Sequence, residues 1–532
     1  MTNAISEIEG NEVLFIIGSN ATEAHPIIGN KMKRAAMNGS KLIVIDPRRT
    51  ELAQVATLWL PLKSGTDVAL INGLMNIIIK EGWHDKEFIE TRSTGFEEMS
   101  KVVEKYTPEY VAEITGISEE TLYETAKLYS STKKAGIFYT LGITEHTSGT
   151  DNVMSLSNLA VLCGHLGIEN SGINPMRGQN NVQGACDMGA LPNVFSGYQS
   201  VMDEKSIGFF EEYWNIKANR NMGLKIPEMF DNAVEGKLKA MFIMGEDPVL
   251  SDPDANHVRK ALKSLDFLVA QDIFLSETAK LADVVLPAAC YAEKDGTFTN
   301  TERRVQRVRK AAEAPGEARV DWQITCDIAK AMGTEGFDYK DAEQVFNEIR
   351  ETTPSYRGIT YDRIDKVGLQ WPCPTEEHPG TPYLHKGSFS KGKASMMAIE
   401  YRVPAEEPSE EYPILLNTGR MLYHYCITTR FSDSLDAIRP HELAEINVAD
   451  AEKLGLKEED FVRVTSRRGS VVTRVTITDR VKPGMIFMTF HYRESPVNEL
   501  TNSAWDPITM TGEYKVSAVR LEKVKDMQGT PL

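Results

Sequence analysis

The first 145 residues alternate short apolar runs with amphipathic stretches. Segments at roughly 26–38 and 85–131 have the apolar spacing of amphipathic helices. A third helix is expected to begin after Asp67, with that side chain as its cap. Strands joined by helices in this order predict βαβ units with right-handed crossovers. Three apolar runs have the length of parallel strands buried on both faces: Val13–Asn20, Lys41–Arg49 and Ala135–Ile143.

A second α/β set follows, and the pattern then changes twice. Residues 353–411 are rich in Pro, Gly and aromatic side chains, which is typical of irregular connecting structure. After Arg420, apolar and polar residues alternate around a glycine turn, which predicts a β-hairpin and further strands. The second α/β set contains three more apolar runs: Leu238–Pro248, Asp266–Phe274 and Ala282–Ala289.

Composition and charge exclude several classes of protein. The hydrophobic content of 41% and the charged content of 25% are typical of a soluble globular chain. The net charge of −17 argues against nonspecific binding to nucleic acid or to an anionic membrane surface. No apolar run is long enough for a membrane span, and the acidic first ten residues do not fit a secretory signal.

The cysteines are scattered and form no CxxC pair. This spacing disfavours a zinc ribbon or a cluster-binding run within the chain. Separate reduced thiols predict a cytoplasmic protein. Cys186 and Cys426 are interpreted as thiols that only pack. The six cysteines are Cys163, Cys186, Cys290, Cys326, Cys373 and Cys426.

Candidate ligand-binding groups follow the apolar strands, where open α/β sheets bind ligands. After the first strands come Gly18–Asn20, Asp46–Arg49 and Ser64–Asp67. The carboxylates could accept hydrogen bonds from a base or ribose, and a loop before a helix could bind phosphate. Each segment alone is more often a simple turn, but three in order favour nucleotide binding. There is no GxGxxG and no GxxxxGK[ST], which disfavours NAD, FAD and P-loop sites.

The second α/β set repeats this arrangement. Met244–Pro248 and Gln271–Phe274 both end apolar runs with acidic or amide side chains. Two comparable nucleotide-binding units are what a cofactor with two dinucleotide-like arms would need.

One segment, NPMRGQNNVQGACDMGALP at Asn174–Pro192, holds a single arginine among glycines and carboxamides. Glycines allow a ligand to approach the backbone closely, and amides both donate and accept hydrogen bonds. Arg177 among them suits a small carboxylate or another anion. For composition alone, a polar loop with a solvated arginine would be the better interpretation.

The Arg177 segment, through RGQNNVQGACDMG, resembles the active-site segment of the large subunit of molybdopterin-dependent formate dehydrogenases. The resemblance implies an oxidoreductase that interconverts formate and CO₂ at Mo or W held by two molybdopterin guanine dinucleotides. Arg177 would orient formate, with Gln179 beside it. The implied fold is α/β, with two Rossmann-like αβα cofactor-binding units followed by a C-terminal β-barrel. The expected boundaries are 1–178 for the first unit, 179–352 for the second, 353–411 for the connecting segment and 412–532 for the barrel.

The resemblance also implies cofactor contacts, residue by residue. His424 taken alone would be an ordinary half-buried histidine, and it becomes a contact only by its place after Thr418–Arg420. No metal ligand is expected in this chain. One guanosine arm would be held by Gly18, Asn20, Asp46, Arg48, Gly65 and Asp67. The other arm would be held by Gly245, Asp247, Gln271 and Asp272. Further contacts would be Gly142, Thr418, Gly419, Arg420, His424, Asn498, Tyr514 and Lys515.

The start of the chain, MTNAISEIE, matches an interior stretch of the resembled subunit. We expect the sequence to be about the C-terminal three-quarters of such a subunit. An in-frame UGA selenocysteine codon read as a stop would be the cause of the short start. The part carrying the 4Fe–4S cluster and the selenocysteine or cysteine metal ligand would precede it, so the chain alone should be inactive. Expected partners are iron–sulfur electron-transfer subunits or a hydrogenase or NAD-linked module. Two alternatives stay open: another molybdopterin oxidoreductase, or a non-catalytic cofactor-binding fragment.

Overall fold

The computed structural model describes residues Met1–Val524, which form two compact units. Unit 1 comprises Met1–Met176, Leu250–Asn256 and the chain from Tyr383 onward. Unit 2 comprises Arg177–Val249 and His257–Pro382. The bounds of the four segments expected from the sequence stay predictions, and residues 525–532 of the expected barrel segment lie outside the described residues.

The N-terminal part of unit 1 is a parallel α/β structure. Its strands are β1 (Val13–Ile17), β2 (Lys41–Ile45), β3 (Leu58–Leu60), β4 (Ser93–Thr94), β5 (Ala135–Tyr139) and β6 (Gly172–Pro175). Its helices are α1 (Ala21–Ala24), α2 (Pro26–Met37), α3 (Glu51–Gln54), α4 (Asp67–Lys80), α5 (Lys86–Arg92), α6 (Phe96–Val103), α7 (Pro108–Thr115), α8 (Glu119–Ser130), α9 (Leu141–Thr144) and α10 (Gly149–Leu162).

The first sheet has the strand order β3-β2-β1-β5-β6, with all pairs parallel. Successive residues of β1 enter opposite cores, as the two-residue period of a strand requires. Phe15 and Ile17 pack in the core that includes α4, α8 and α10. Leu14 and Ile16 pack in the core that includes α2. Both faces are therefore buried, which explains the uninterrupted apolar runs.

The C-terminal part of unit 1 is a closed six-stranded barrel in the order β16-β20-β17-β19-β18-β21. The predicted hairpin is confirmed as the antiparallel pair β18 and β19. Closure removes the exposed strand edges. The elements of this part are β15 (Ala394–Ser395), β16 (Ile414–Gly419), β17 (Leu443–Asn447), β18 (Phe461–Thr465), β19 (Ser470–Thr478), β20 (Met485–Thr489) and β21 (Ser517–Lys523), with α18 (Asp433–Asp436) and α19 (Val448–Leu454).

The middle of the chain, mostly unit 2, combines a small parallel sheet, β11-β10-β9, with an antiparallel sheet, β12-β13-β14. Its strands are β7 (Val194–Phe195), β8 (Gln199–Ser200), β9 (Ala240–Met244), β10 (Phe267–Asp272), β11 (Val284–Pro287), β12 (Gly296–Thr299), β13 (Arg304–Val308) and β14 (Leu369–Gln370). The helices of this stretch are α11 (Val182–Asp187), α12 (Glu204–Trp214), α13 (Ile226–Val234), α14 (Pro248–Ser251), α15 (Ala255–Lys263), α16 (Asp321–Ala331) and α17 (Ala342–Thr352).

The two faces of the β9–β11 sheet differ. Ile243 and Leu268 pack against α13 and α15. On the opposite face, which we call the open sheet face, four apolar side chains are exposed to solvent: Phe242, Met244, Phe267 and Val284. The strand register aligns Val269 with both Phe242 and Val284, so these residues share that face. Parallel sheets are ordinarily covered on both faces, and an exposed apolar face is therefore unusual.

The α/β class with parallel sheets and a C-terminal barrel, expected from the sequence, is confirmed. The expected cap of α4 is wrong. The helix begins at Asp67 itself, so the capping position falls on Thr66, and no side-chain cap bond forms there.

Candidate cofactor and substrate sites

Several predicted residues lie at the carboxyl end of the first sheet. Gly18 follows β1 with a φ of +55°, and a Cβ there would lie 2.6 Å from the carbonyl carbon of Gly142. The Gly142 amide donates to the Gly18 carbonyl at 3.1 Å. The structure thus brings these two predicted residues together, and their close approach excludes side chains at either position. Gly65 lies in the turn before α4.

Two predicted carboxyls, Asp46 and Asp67, lie close enough to interact at the same edge. Burial raises the pKa of Asp46 to about 6, although the Arg48 backbone amide donates to it at 2.9 Å. Burial, together with the negative charge of Asp46, raises the pKa of Asp67 to about 7. A ligand that donates hydrogen bonds to both carboxyls would relieve this desolvation.

The Arg48 guanidinium is held within unit 1 by a buried ion pair. Its Nη2 lies 2.9 Å from Glu445 Oε1 and 3.0 Å from Glu445 Oε2, and its Nε donates to Glu445 Oε2 at 3.2 Å. The guanidinium also stacks over the Phe487 ring at 3.4 Å. Arg48 therefore joins the α/β sheet to the barrel, whatever contact it makes with a cofactor.

The first edge also holds polar atoms that have no hydrogen-bond partner within Met1–Val524: Asn20 Nδ2, Ser19 Oγ and Ser64 Oγ. Buried polar groups are normally satisfied, so unpartnered atoms near two carboxyls with raised pKa values indicate a polar ligand. Asn20 Oδ1 is already used, since it accepts from Thr22 Oγ1 at 3.0 Å. Amide and hydroxyl donors beside carboxyl acceptors fit a guanosine diphosphate, which offers base N–H groups and phosphate oxygens.

At the edge of the second sheet, the predicted acids already accept backbone hydrogen bonds. Asp247 Oδ1 accepts from the Thr278 amide at 2.8 Å and from Thr278 Oγ1 at 2.6 Å. Asp272 Oδ1 accepts from the Ile273 amide at 2.6 Å. Both carboxylates therefore stabilise the loops that follow their strands.

Gly245 and Gln271 leave more room for a ligand at this second edge. Gly245 has a φ of +66°, and a Cβ built on it would have no atom within 4 Å. Its amide donates to the Gln271 carbonyl at 2.8 Å. Gln271 Nε2 donates to Asp321 Oδ1 at 2.8 Å, while its Oε1 has no partner among the described residues. An open backbone beside an acceptor fits a second nucleotide arm, with fewer available groups than the first edge offers.

Several predicted residues of the barrel hold one another. Thr418 Oγ1 donates to the Tyr514 carbonyl at 2.7 Å, and Lys515 Nζ donates to the Thr418 carbonyl at 3.0 Å. Lys515 also pairs with Glu145 at 2.7 Å. Gly419 ends β16 against the Phe487 ring. These contacts place the end of β16 beside the segment before β21.

Asn498 is buried, and its amide nitrogen donates to two backbone carbonyls. Its Nδ2 donates to the Leu250 carbonyl at 2.8 Å and to the Ser251 carbonyl at 2.9 Å. The side chain thus fixes the segment 250–256 within unit 1, which is a structural task that the sequence does not reveal.

His424 is buried, and its ring stacks on that of His491 with centroids 3.7 Å apart. Its Nε2 lies 3.0 Å from the Arg439 carbonyl. Asp436 lies near both histidines, so the three could in principle ligate a metal. However, the rings are nearly parallel, at 13°, and parallel in-plane lone pairs cannot converge on one ion. Arg420 lies over the Tyr425 ring at 4.5 Å, and its Nη1 has no hydrogen-bond partner in the described chain.

Arg177 is half-buried at the start of unit 2, and Gln179 is exposed. The Arg177 amide donates to Thr301 Oγ1 at 2.9 Å, and its Nη1 lies 3.3 Å from Cys186 Sγ. Cys186 therefore does more than pack, contrary to the interpretation from the sequence. A fixed guanidinium in a half-buried loop can hold a small carboxylate in one orientation.

The sequence analysis missed a polar network beside Arg177. Asp187, at the end of α11, is buried and accepts hydrogen bonds from Gln183, Tyr198, Tyr356 and Trp371. Asp187 was visible in the Arg177 segment, but its partners lie up to 184 positions away. A half-buried tryptophan, two tyrosines and one acid carry no spacing signal that would link them.

A family model described as "Molybdopterin oxidoreductase" matches residues 1–331. The chain belongs to the molybdopterin oxidoreductase family. A second model, "Molydopterin dinucleotide binding domain", matches residues 414–518 and covers most of the barrel. The resemblance drawn from the Arg177 segment is confirmed, and this molybdopterin oxidoreductase carries a domain that binds a molybdopterin dinucleotide.

Curated relatives span nearly all of this molybdopterin oxidoreductase. The F420-dependent formate dehydrogenase subunit alpha of Methanocaldococcus jannaschii is 51% identical over 530 residues, which are 98% of this chain and 78% of the relative. Formate dehydrogenase H of Escherichia coli is 39% identical, over 99% of this chain and 75% of the relative. The assimilatory nitrate reductase catalytic subunit of Bacillus subtilis is 36% identical, over 98% and 76%.

Among solved structures, acetylene hydratase from Pelobacter acetylenicus matches with a TM-score of 0.77. The match covers 97% of this chain and 78% of that one at 23% identity, so it shows a shared fold alone. Within Met1–Val524, no helix has the length and apolar character needed to cross a membrane.

Proposed function

We propose that this chain is the catalytic subunit of a formate dehydrogenase, with Mo or W held by two molybdopterin guanine dinucleotides. The observation that carries the proposal is Arg177, a half-buried guanidinium whose segment is anchored to Thr301 and Cys186. The relatives support formate over nitrate, since formate dehydrogenase alpha subunits are 49–51% identical and the nitrate reductase is 36% identical.

In this proposal each group of residues has its own task. Arg177 binds the formate carboxylate through two charge-assisted hydrogen bonds and so fixes the direction of the C–H bond. Gln179 lies in the same loop and lines the approach of the substrate. When bound, the Mo or W centre supplies a two-electron acceptor for the oxidation of formate to CO₂ and a proton.

One guanosine arm is assigned to the first edge, where Asn20 offers an unpartnered donor and Asp46 and Asp67 offer two acceptors with raised pKa values. Gly18, Gly142 and Gly65 allow neighbouring segments of unit 1 to pack closely at this edge. Arg48 holds the edge in place through its ion pair with Glu445. The second arm is assigned to Gly245 and Gln271, with Asp247 and Asp272 shaping their loops. The remaining proposed contacts are Thr418, Gly419, Arg420, His424, Asn498, Tyr514 and Lys515.

Partner subunits would carry the electrons away. Relatives named as subunit alpha of F420-dependent enzymes support a multi-subunit assembly with F420 as the acceptor. A 4Fe–4S cluster would need ligands other than the six separate cysteines of this chain. Those thiols are all free, which supports a reducing compartment, and we place the protein in the cytoplasm.

The test compares Arg177→Lys and Arg177→Ala in the enzyme assembled with its cofactor and partner subunits. Lysine keeps the charge but loses the planar fork, so kcat/KM for formate should fall by about tenfold or more, and further in the alanine variant. Metal and pterin content should stay near normal. The matched control is Arg220→Ala, because Arg220 is an exposed arginine of unit 2 that pairs with Glu204. Wild-type kcat/KM in Arg177→Ala would refute the assignment.

A further inference from the structure

Asp187 is a buried carboxylate held by neutral donors. Its Oδ1 accepts from Gln183 Nε2 at 2.8 Å and from Tyr198 Oη at 2.8 Å. Its Oδ2 accepts from Tyr356 Oη at 2.5 Å and from Trp371 Nε1 at 2.7 Å. Its two oxygens thus accept four hydrogen bonds, all from side chains that carry no formal charge. No lysine or arginine forms a salt bridge with it among residues 1–524.

The four donors come from separate parts of unit 2. Gln183 lies on α11, one turn before Asp187. Tyr198 lies beyond that helix, Tyr356 follows α17 and Trp371 follows β14. Tyr356 also bonds Thr299 Oγ1 at 2.8 Å, which extends the network to the end of β12. The network therefore fixes the C-terminal end of α11 against three distant segments.

Arg177 rests on the same helix end. Its Nη1 lies 3.3 Å from the sulfur of Cys186, the residue immediately before Asp187. Both charges also act on one phenol: burial and then Asp187 raise the pKa of Tyr198, whereas Arg177 lowers it. The guanidinium is thus within electrostatic range of the network, and a shift of α11 would move the surface against which it lies.

We propose that Asp187 is a positioning residue that sets the orientation of Arg177 through the end of α11. The kinetic consequence of this inference rests on the proposed function. The effect of Asp187 on the end of α11 and on Arg177 does not depend on that function. Asp187 does not touch substrate; it holds the helix that holds the guanidinium. A nearby negative charge weakens anion binding by electrostatics alone. Removing the charge of Asp187 should therefore lower the KM for formate through electrostatics and raise it through the loss of positioning.

The sign of the change in KM therefore separates positioning from simple electrostatics. In the assembled enzyme, Asp187→Asn should raise the KM for formate by about tenfold and lower kcat less, because orientation of the carboxylate is lost. Trp371→Phe keeps the charge and removes one donor, so it should raise KM by a smaller factor. A lower KM in Asp187→Asn would show that the acid acts only by its charge, and would overturn the proposal.

Thiol labelling tests the structural part in the full chain without turnover. Iodoacetamide modification, measured separately for each cysteine by mass spectrometry, should rise several-fold at Cys186 in Asp187→Asn and in Trp371→Phe. It should stay unchanged at half-buried Cys290 and at fully buried Cys373. The matched control is Tyr213→Phe, which removes a tyrosine–carboxylate bond to Glu351 elsewhere in unit 2.

The outcomes separate the two proposals. Selective labelling of Cys186, together with no formate turnover by the wild-type enzyme assembled with its metal ligand, cofactor and partner subunits, would refute the proposed function and retain the positioning role. Wild-type labelling of Cys186 together with an unchanged KM would overturn the positioning role. Equal increases at Cys186 and Cys373 in both variants would show that Asp187 only stabilises the fold, and would overturn it as well.

Discussion

The carboxyl ends of the two parallel sheets carry the same kinds of residue but use them differently. At the first edge, buried Asp67 and half-buried Asp46 have raised pKa values, and Asp46 accepts one backbone amide, that of Arg48. At the second edge, Asp247 and Asp272 accept backbone hydrogen bonds within their own loops. An acid after a strand can therefore either be available to bind a ligand or stabilise a turn. The number of hydrogen bonds that each carboxylate already accepts decides between these uses, and the sequence pattern does not.

The largest expected difference between the edges concerns their glycines. Gly18→Ala places a Cβ 2.6 Å from the Gly142 backbone at a positive φ, and should destabilise the chain by roughly 3–5 kcal/mol. Gly245→Ala also has a positive φ but meets open space, so it should cost only about 1–2 kcal/mol. Chemical denaturation of both variants measures the free energy of unfolding. Equal losses would mean that the first edge is no more tightly packed than the second.

The next comparison changes one acid at each edge to the amide. The folded-state pKa of Asp67, about 7, lies above its ordinary value of 3.8, so the stability of the folded chain falls as pH rises between about 4 and 7. Asp67→Asn removes this penalty and should stabilise the chain by roughly 2–4 kcal/mol at pH 8 and by little at pH 4.

Asp247→Asn should act in the opposite direction. It weakens bonds from the Thr278 amide and hydroxyl, and should destabilise the chain by roughly 1.5–3 kcal/mol at pH 8. Thermal denaturation at pH 4 and pH 8 measures both variants side by side. If both substitutions change stability in the same direction at pH 8, the distinction between the two edges does not hold.

The last comparison between the edges concerns cofactor retention. Asp46→Ala removes an acceptor proposed for one guanosine arm, and should reduce the binding free energy of the cofactor by roughly 1.5–3 kcal/mol. Asp272→Ala should reduce it less, because that carboxylate already accepts the amides of Ile273 and Phe274. Metal and pterin content after purification measures both. Full retention in Asp46→Ala would leave Asp46 as a turn residue.

The sequence predicted the parts of the fold that depend on local pattern. Apolar runs such as Val13–Asn20 indicated buried parallel strands, because both faces of that sheet are covered. Alternation after residue 460 indicated the hairpin of β18 and β19. The Arg177 segment indicated the family, since its motif is long and contiguous.

Pairings between distant residues could not be predicted. Arg48 and Glu445 lie 397 positions apart, so no local pattern reveals that this arginine is used in a buried ion pair. The same holds for Asn498, whose amide bonds backbone carbonyls near residue 250. The error at Asp67 has another cause: the helix begins at that residue, and a shift of one position separates a cap from a buried acid.

The open sheet face has a consequence for temperature. Met244 is 54% exposed, and Phe242 and Phe267 are each 46% exposed. Contact between apolar surfaces strengthens on warming over the range used for protein work, because the hydration of such surfaces is entropically unfavourable. Solutions of this chain should therefore aggregate more slowly in the cold than at 37 °C. Replacing Phe242 with a charged residue should remove most of that difference.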